Sequence, residues 1–326
     1  MRALTLSELE AQADELDRVV AATPGIDRFC SSSAWILSAA EALMPPREAW
    51  VHAGEAGWVA MMRGQHPSGL TYVEPLELAW GLASPLVGTD ADALADQMIA
   101  LVAARIGALQ VALVPGLAGD APILRALLAR MPSTWERRWG QPTLRHVASL
   151  DGGIDGFLAR RSRNFRKALR SSLRAAEQGG VTFESARATS EAEARALYDR
   201  IQAVEARSWK AEGGVGIISG PMHDFYAHMV RRLARHDRQR TIFARAGGED
   251  VAYVLGAVFA GEYRGLQFSY DDAHGRYSLG SLCQYHQILE LCAEGIVRYD
   301  LGTDMDYKRR WAEEQFQTSL LVVIPR

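Results

Sequence analysis

The apolar positions of the chain follow two periods, and the places where the period changes separate its predicted elements. Apolar residues recur at helical spacing near the start, where Ser7 and Glu10 predict a capping box. The pattern then changes to short apolar runs separated by glycine turns, which predicts strands. The predicted elements of the first half are helices over 7–22 and 34–43, strands over 50–53, 58–63 and 70–75, a helix over about 90–106, an apolar run over 109–114 and a helix over about 121–131.

The same order of elements recurs in the second half of the chain. Strands separated by two glycine turns, 247–250 and 261–264, precede a helix and a further strand. Because both halves share the order of three strands, helix and strand, we predict an internal duplication, with domains at 1–148 and 149–326. The elements of the second passage are strands over 240–245, 251–260 and 266–270, a helix over about 278–293 and a strand over 297–301; helices over about 162–177, 191–208 and 221–236 precede it.

Composition excludes several classes of protein. Hydrophobic residues make up 48% of the chain and charged residues 23%, as in globular proteins. The net charge of -3 gives no global reason to expect nucleic acid or a membrane as partner, and the longest near-apolar run, 251–261, is too short to span a bilayer. The three cysteines, Cys30, Cys283 and Cys292, form no disulfide or zinc pattern. We therefore predict a soluble, cytoplasmic protein with reduced thiols, no metal site and no membrane partner.

Four passages in the second half carry a resemblance to a known family. They are the basic segment 160–167, Ser-Trp-Lys at 208–210, Tyr270-Asp271 followed by Ser-Leu-Gly at 278–280, and 299–302 leading to 306–308 and Trp311. Over about 150–320 the chain resembles the BioF2-like/CelD-type acetyltransferase-domain family, relatives of the Fem aminoacyl transferases within the GNAT superfamily. The resemblance implies an α+β fold of two tandem GNAT-like domains, with mixed central sheets flanked by helices. The first domain is then a degenerate copy.

The implied activity is transfer of an acyl group from acyl-CoA to an amine by direct attack. The diphosphate of CoA needs backbone N–H groups at a helix start, and the turn 276–281 lies between a strand and a helix. Gly280 allows close approach of the backbone, although a typical GNAT loop has a second glycine or alanine; a plain helix cap is the alternative. The predicted CoA-binding residues are Arg276, Ser278, Leu279, Gly280 and Ser281. In the first copy Asp90 and Asp92 would repel a diphosphate, so we expect one CoA site per chain.

Two residues are predicted to carry the chemistry. The resemblance implies that Tyr307 protonates the leaving thiolate, since a phenol has a pKa of about 10. The alternative is that Tyr307 only packs with Trp311. Asp271 ends the strand at the predicted reaction centre and is the preferred acceptor of the amine proton. A backbone N–H within about 267–271 is the expected oxyanion donor. The other candidates for the amine proton are Asp272, Asp304 and, after them, Glu205.

The predicted substrate-binding residues are Trp209, Lys210, Tyr270, Asp304 and Lys308. Their lysines pair with a carboxylate or phosphate of the substrate, or are simply solvated.

Residues 160–174 hold seven basic residues and no acid, spread over more than one helix face. This run is either a solvated face, a contact for the CoA 3′-phosphate, or a contact for a tRNA backbone. The acceptor is predicted to be a small-molecule or peptide amine. Two rival functions stay open: a Fem-like transferase with an aminoacyl-tRNA donor, and a catalytically silent binding protein.

Overall fold

The computed structural model describes residues 1–43, 47–77, 80–208, 210 and 216–326. The chain forms two compact units. The first comprises Met1–Leu144 together with Gln317–Arg326, and the second comprises Arg145–Phe316. The sequence pattern suggests 1–148 and 149–326, so the observed division falls slightly earlier, and the end of the chain belongs to the first unit.

The helices start close to their predicted positions. At the first of them Thr5 Oγ1 accepts a hydrogen bond from the Glu8 N–H at 3.2 Å, and the Glu8 carboxylate accepts one from the Thr5 N–H at 2.8 Å. The capping box predicted at Ser7 and Glu10 is therefore wrong by two residues, and the helix predicted over 7–22 is two helices. The helices are α1 (Leu6–Ala11), α2 (Ala13–Ala22), α3 (Arg28–Ser31), α4 (Ser33–Ala42), α5 (Ala91–Ala103), α6 (Pro122–Arg130), α7 (Gly153–Ala159), α8 (Arg163–Gln178), α9 (Glu191–Glu205), α10 (Gly220–Ala234) and α11 (Leu279–Ala293), with 3₁₀ turns at Asp272–Tyr277 and Lys308–Arg310.

The strands include all those predicted and several short or late ones that the pattern does not reveal. They are β1 (Arg2–Leu4), β2 (Glu48–Gly54), β3 (Gly57–Gln65), β4 (Thr71–Pro75), β5 (Leu86–Val87), β6 (Val111–Ala118), β7 (Glu136–Trp139), β8 (Thr143–Ser149), β9 (Thr182–Ala186), β10 (Gln239–Ala246), β11 (Glu249–Phe259), β12 (Glu262–Tyr270), β13 (Arg298–Thr303) and β14 (Glu314–Ile324).

The first unit contains a mixed sheet in the order β1-β2-β3-β4-β6-β14. Strands β2, β3 and β4 form an antiparallel meander, and β6 returns parallel to β4 after α5. Strand β14 pairs antiparallel with β6, from Thr318 opposite Ala118 to Val323 opposite Ala112. Short strands β5 and β7 add to β3 and β14.

The second unit contains a mixed sheet in the order β8-β13-β12-β11-β10-β9. Side chains of a strand alternate between the two faces of its sheet, and β11 shows this directly. Val254 lies in a buried cluster with Leu282 of α11 and Leu169 of α8. Tyr253 points the other way and donates a hydrogen bond to Glu205 at the end of α9. Helices α8 and α11 thus cover one face of the sheet, and α9 covers the other.

The two units repeat one arrangement. The meander β10-β11-β12, the helix α11 and the parallel strand β13 correspond to β2-β3-β4, α5 and β6. This confirms the predicted fold class: mixed sheets flanked by helices in an α+β chain. What the two units share is the order and pairing of their strands and helices.

Strands β12 and β13 diverge soon after they meet. Their parallel pairing joins Glu262–Arg264 to Arg298–Asp300 only. The turn before β12 is tighter than the one predicted over 261–264, because Ala260 and Gly261 alone take positive φ values, 50° and 78°. Beyond Arg264, the segment 265–270 pairs with β11 and with no other strand in the described residues. One backbone edge of β12 is therefore open on the β13 side.

The cysteines pack as expected. Cys30 and Cys283 are buried, Cys292 is half-buried, and none of the three forms a disulfide with another described cysteine. None of the helices within the described ranges is long and apolar enough to cross a membrane.

Candidate active site

The start of α11 is open to a ligand. Ser278 precedes this helix with φ 55° and ψ 42°, a left-handed conformation that costs energy in a residue with a Cβ atom. Its side chain makes no capping hydrogen bond. The backbone N–H groups of Leu279 and Gly280 have no backbone acceptor in the described residues. Free N–H groups at a helix start carry partial positive charge and attract anions.

The matching helix start in the first unit is closed by its own carboxylate. Asp90 precedes α5, and its Oδ1 accepts a hydrogen bond from the Ala93 N–H at 3.0 Å. Asp92 in the first turn of α5 forms an ion pair with Arg130 at 3.0 Å. The two topologically equivalent helices therefore differ where an anion would bind, since α5 presents negative charge and α11 presents bare N–H groups.

A pocket of about 640 Å³ lies at the start of α11. The first turns of α8 and the 3₁₀ turn Lys308–Arg310 form its other walls. Two helix starts therefore face one cavity. Residues that line it include Ser278 and Ser281 beside α11, Ser162 and Asn164 beside α8, and Arg309 and Arg310.

The arginines of this pocket differ in how far they are neutralised. Arg161 is buried and forms an ion pair with Glu313, and Arg160 Nε lies 3.2 Å from the same carboxylate. Arg309 pairs with carboxylates of its own turn. Arg310 is exposed and forms no ion pair with any described carboxylate. Arg310 is thus the pocket arginine best placed to meet a ligand phosphate.

The structure places the predicted CoA-binding side chains in three environments. Ser278 and Ser281 line the pocket. Arg276 lies over the Tyr277 ring, with Cζ 4.7 Å from the ring centroid, and donates a hydrogen bond to the Tyr277 hydroxyl at 2.6 Å. Leu279 is 1% exposed and packs in the core between α8, α11 and the sheet. Of the five predicted CoA-binding residues, Ser278 and Ser281 line the pocket and the other three do not.

Gly280 makes room for an aromatic ring. A Cβ atom on Gly280 would lie 3.0 Å from two ring carbons of Phe268 on β12. Phe268 in turn packs edge-on against Tyr307, with centroids 5.6 Å apart. From the sequence, Gly280 was predicted for another purpose, which is close approach of the backbone to a phosphate. Phe268 was not predicted as its neighbour. A glycine opposite an aromatic strand residue leaves no signal in the sequence.

Tyr307 lies beside the open edge of β12. It is half-buried, and its hydroxyl makes no hydrogen bond within the described residues. Burial raises its pKa to about 12, so the phenol stays protonated at neutral pH. Trp311 packs edge-on against Phe165 at 4.8 Å, while the ring in contact with Tyr307 is Phe268.

Both carboxylate oxygens of Asp271 are engaged. Oδ1 accepts from the Ala273 N–H at 2.9 Å and caps the 3₁₀ turn, and Oδ2 accepts from Arg207 Nε at 3.0 Å. Asp271 therefore holds the 3₁₀ turn and Arg207 in place. Tyr270, the preceding residue, is half-buried and packs against the core under α11.

A buried polar network lies on the other face of β12. Lys210 Nζ donates to the Phe268 carbonyl at 2.5 Å and to Gln267 Oε1 at 3.1 Å. Glu205 is fully buried; its Oε2 accepts from the Tyr253 hydroxyl at 2.9 Å. Among the described residues, its Oε1 has no hydrogen-bond donor, and this atom lies 3.8 Å from Lys210 Nζ. Burial lowers the pKa of Lys210, and the charge of Glu205 opposes that shift.

The predicted residue Trp209 lies outside the described residues. Its neighbour Lys210 contacts β12 directly, so the end of α9 reaches the strand predicted to hold the reaction centre. Glu205 was predicted only after three aspartates as the acceptor of the amine proton. It lies beside Lys210, which contacts β12, whereas Asp304 is held by Arg309 and His146.

Lys308 is buried among charges where β12 and β13 diverge. It is 8% exposed, and its Nζ donates to the Thr303 carbonyl at 2.8 Å. Arg264 and Arg145 both form ion pairs with Asp300 nearby, the former at 2.7 Å. Burial, and then the charge of Arg264, lower the pKa of Lys308 to about 8. Lys308 thus remains cationic at neutral pH but loses its proton in mildly basic solution.

Asp304 is exposed and held by two neighbours. It accepts from Arg309 Nη2 at 2.9 Å and contacts His146 Nε2 at 2.6 Å. The hydrogen bond from Arg309, followed by the one from His146, lowers the pKa of Asp304 to about 2. A carboxylate with so low a pKa is a weak base, and Asp304 is better suited to positioning the turn 304–309.

We expect the Lys308 ammonium to titrate near pH 8, against about 10.4 for an exposed lysine. Since the folded pKa is below the unfolded one, burial of the cation opposes folding at pH values below 8, and this penalty disappears as pH rises through both values. The measurement is the pH dependence of the Lys308 Cε NMR shift. In Arg264→Met the midpoint should rise, because one positive neighbour is removed; a midpoint near 10.4 in the unsubstituted protein would contradict the argument.

Solved structures show the same fold over nearly the whole chain. A conserved protein of unknown function from Bacteroides thetaiotaomicron VPI-5482 has a TM-score of 0.66 at 10% identity, covering 99% of each chain. FemX has a TM-score of 0.62 at 12% identity, covering 98% of this chain and 97% of FemX. The C-terminal DUF2156 domain of a putative lysylphosphatidylglycerol synthetase from Agrobacterium fabrum has a TM-score of 0.59 at 16% identity, covering 98% and 92%. At these identities the likeness establishes the fold alone.

The diverging strands and the open helix start define a domain of the GNAT type. Residues 163–309 match the family described as acetyltransferase (GNAT) domain. No curated protein matches the chain in sequence. The second unit therefore carries a GNAT-type acetyltransferase domain over 163–309, and the chain is an acyltransferase. The narrower BioF2-like/CelD-type assignment stays a prediction.

Proposed function

We propose that the chain transfers an acyl group from acyl-CoA to an amine, by direct attack, in the second unit. The observation that carries this proposal is the difference between the two equivalent helix starts. Helix α11 begins with the uncapped N–H groups of Leu279 and Gly280 between two serines that line a pocket, whereas the Asp90 carboxylate caps the start of α5. A diphosphate binds where N–H groups and the helix dipole converge, so α11 is the one suited to CoA.

The diphosphate lies at the start of α11 in this proposal. The Leu279 and Gly280 amides donate to its oxygens, the hydroxyls of Ser278 and Ser281 add donors, and Arg310 supplies a positive charge. The left-handed backbone of Ser278 turns the chain so that the first N–H groups of α11 stay uncapped. Strain of this kind is common at ligand sites, where surrounding structure holds it in place.

The thioester lies along the open edge of β12. Past Arg264 this strand has no partner on the β13 side, so its backbone can pair with the pantetheine amides. A backbone N–H within 267–270 is then the donor to the oxyanion; the next N–H, of Asp271, already donates to the Val251 carbonyl at 2.8 Å. Tyr307 reaches the same edge through its contact with Phe268.

The proton transfers follow from this placement. The amine nitrogen attacks the thioester carbon, the C–S bond breaks, and Tyr307 gives its proton to the departing sulfur. For the amine proton we favour Glu205 over Asp271. Oε1 of Glu205 has no hydrogen-bond donor and lies near Lys210, which touches β12, whereas both oxygens of Asp271 are engaged.

Titration calorimetry with CoA tests the site at α11. We expect one CoA per chain, and Ser281→Asp should raise the dissociation constant at least about tenfold, because it places a carboxylate in the first turn of α11, beside the proposed diphosphate site. Ser171→Asp is the matched control: it adds the same charge to the exposed surface of α8 and should leave CoA binding unchanged. Two sites per chain, or equal affinities for the two variants, would remove α11 as the CoA site.

A further inference from the structure

Four basic side chains of α8 form one exposed stripe. Arg163, Lys167, Arg170 and Arg174 are spaced by four, three and four residues, which places them on one side of the helix. All four are exposed, and none forms an ion pair with a described carboxylate. They extend over about 16 Å of helix at 1.5 Å per residue. These residues are called the basic stripe of α8.

The seven basic residues of 160–174 lie on more than one side of the segment, as expected, and the stripe is the part of them that remains exposed on one side of α8. Arg160 and Arg161 lie before the helix and share Glu313. Arg166 turns inward, where Nη1 donates to the Leu158 carbonyl at 3.1 Å and to the Arg161 carbonyl at 2.6 Å. Three of the seven cations therefore serve the structure around the start of α8, and the remaining four are left together on its surface.

The stripe borders the pocket without lining it. Asn164, Ala168 and Ser172 are spaced by four residues and face the pocket from the same helix. The basic residues lie on an adjacent side and do not contribute to the pocket wall. A ligand confined to the pocket, such as CoA, leaves the stripe unused. A larger anionic partner can lie on the stripe and still reach the pocket.

We propose that the basic stripe of α8 docks an acidic carrier protein, whose 4′-phosphopantetheine arm brings the acyl thioester into the pocket. This inference rests on the proposed acyl transfer and specifies its donor. The arm ends in the same thioester as acyl-CoA, so the chemistry is unchanged. The amine attacks the thioester carbon, the C–S bond breaks, Tyr307 protonates the departing thiolate of the carrier's arm, and Glu205 takes the proton that the amine loses.

The surroundings of the stripe favour an acidic protein helix over other polyanions. Exposed residues beside it include Ser171, Glu177 and Gln178. The aromatic residue of α8, Phe165, packs against Phe157 and Trp311, so it is not presented beside the four cations as a stacking partner for nucleic-acid bases. The exposed apolar side chain within the span of the stripe is the methyl group of Ala168, which is too small to anchor the helix in a lipid surface. A straight row of charges three helical turns long is complementary to one acidic helix.

Binding of a carrier without its arm tests the docking surface alone. The probe is fluorescently labelled apo acyl carrier protein, and the readout is anisotropy at low salt. Arg163→Glu with Arg170→Glu should weaken binding at least about tenfold, and added salt should weaken binding to the unsubstituted protein. The control pair, Arg125→Glu with Arg195→Glu, changes the charge equally at exposed sites on α6 and α9 and should bind as the unsubstituted protein does.

Other outcomes overturn the inference. Equal carrier affinity for the stripe variant and the unsubstituted protein would show that the carrier does not use α8. Stripe-dependent binding of duplex RNA or phosphatidylglycerol vesicles, with no carrier binding, would assign the stripe to that other partner. Acyl-CoA-dependent transfer by the stripe variant should remain normal, since these residues do not line the pocket. Absence of transfer from any donor would remove the proposed function, whereas the apo-carrier result does not depend on transfer.

Discussion

Replacement of Tyr307 by phenylalanine should lower kcat at least about 100-fold, within the range of 10²–10⁴ typical of general acid–base catalysis. The variant keeps the ring that packs against Phe268 and loses only the hydroxyl. The CoA dissociation constant should stay the same, because the pocket at the start of α11 does not include Tyr307. Steady-state kinetics with an activated amine, together with calorimetric CoA titration, separates the two effects.

The pH dependence adds an independent criterion. With a pKa near 12, Tyr307 is protonated throughout the usual assay range, so its ionisation should produce no fall in kcat below about pH 11. A basic limb near pH 8 would instead report Lys308. Near-normal kcat in Tyr307→Phe would mean that solvent or the acceptor protonates the thiolate.

Glu205→Gln should lower kcat about 100-fold if Glu205 takes the amine proton. The amide can still accept a hydrogen bond from Tyr253, so the buried end of α9 keeps that contact. Asp271→Asn is the comparison. It preserves an acceptor for the Ala273 N–H but loses the charge pairing with Arg207, so we expect a lower melting temperature with kcat close to that of the unsubstituted enzyme.

The two variants rank the carboxylates against each other. Equal CoA affinity in both would show that neither change disturbs the donor site. A loss of kcat in Asp271→Asn as large as in Glu205→Gln would return the proton acceptor to Asp271. Thermal unfolding of Glu205→Gln must accompany the kinetics, because a buried side chain that changes charge also changes stability.

The repeated order of elements was predictable because it depends on local periodicity and glycine turns. The strands of both meanders and the helices α5 and α11 follow from such patterns. The late strand β14 could not be predicted from such local patterns. Its partner in the first unit, β6, is about two hundred residues earlier in the chain, and no local pattern specifies a pairing at that distance. The position of Gln317–Arg326 in the first unit was therefore invisible in the sequence.

The residues of the candidate site likewise divide into those that local sequence position predicts and those that depend on tertiary contacts. The serines at 278 and 281 could be placed from their position between a strand and a helix, and they do line the pocket. The contact of Gly280 with Phe268, the capping role of Asp271 and the buried position of Glu205 depend on residues far apart in sequence. Side-chain partners across a fold are set by tertiary packing, which residue type and spacing do not encode.

The place of the chain end in the first unit has a consequence for biosynthesis. A ribosome releases the chain from its N-terminus, and domains usually fold in that order. Here β6 lacks its antiparallel neighbour until residues 317–324 have been made, although every other strand of the first sheet was synthesised long before. Of the two units, the one made first is thus the last that can complete its sheet, and the edge of β6 is exposed to wrong partners while the roughly two hundred residues between β6 and β14 are made.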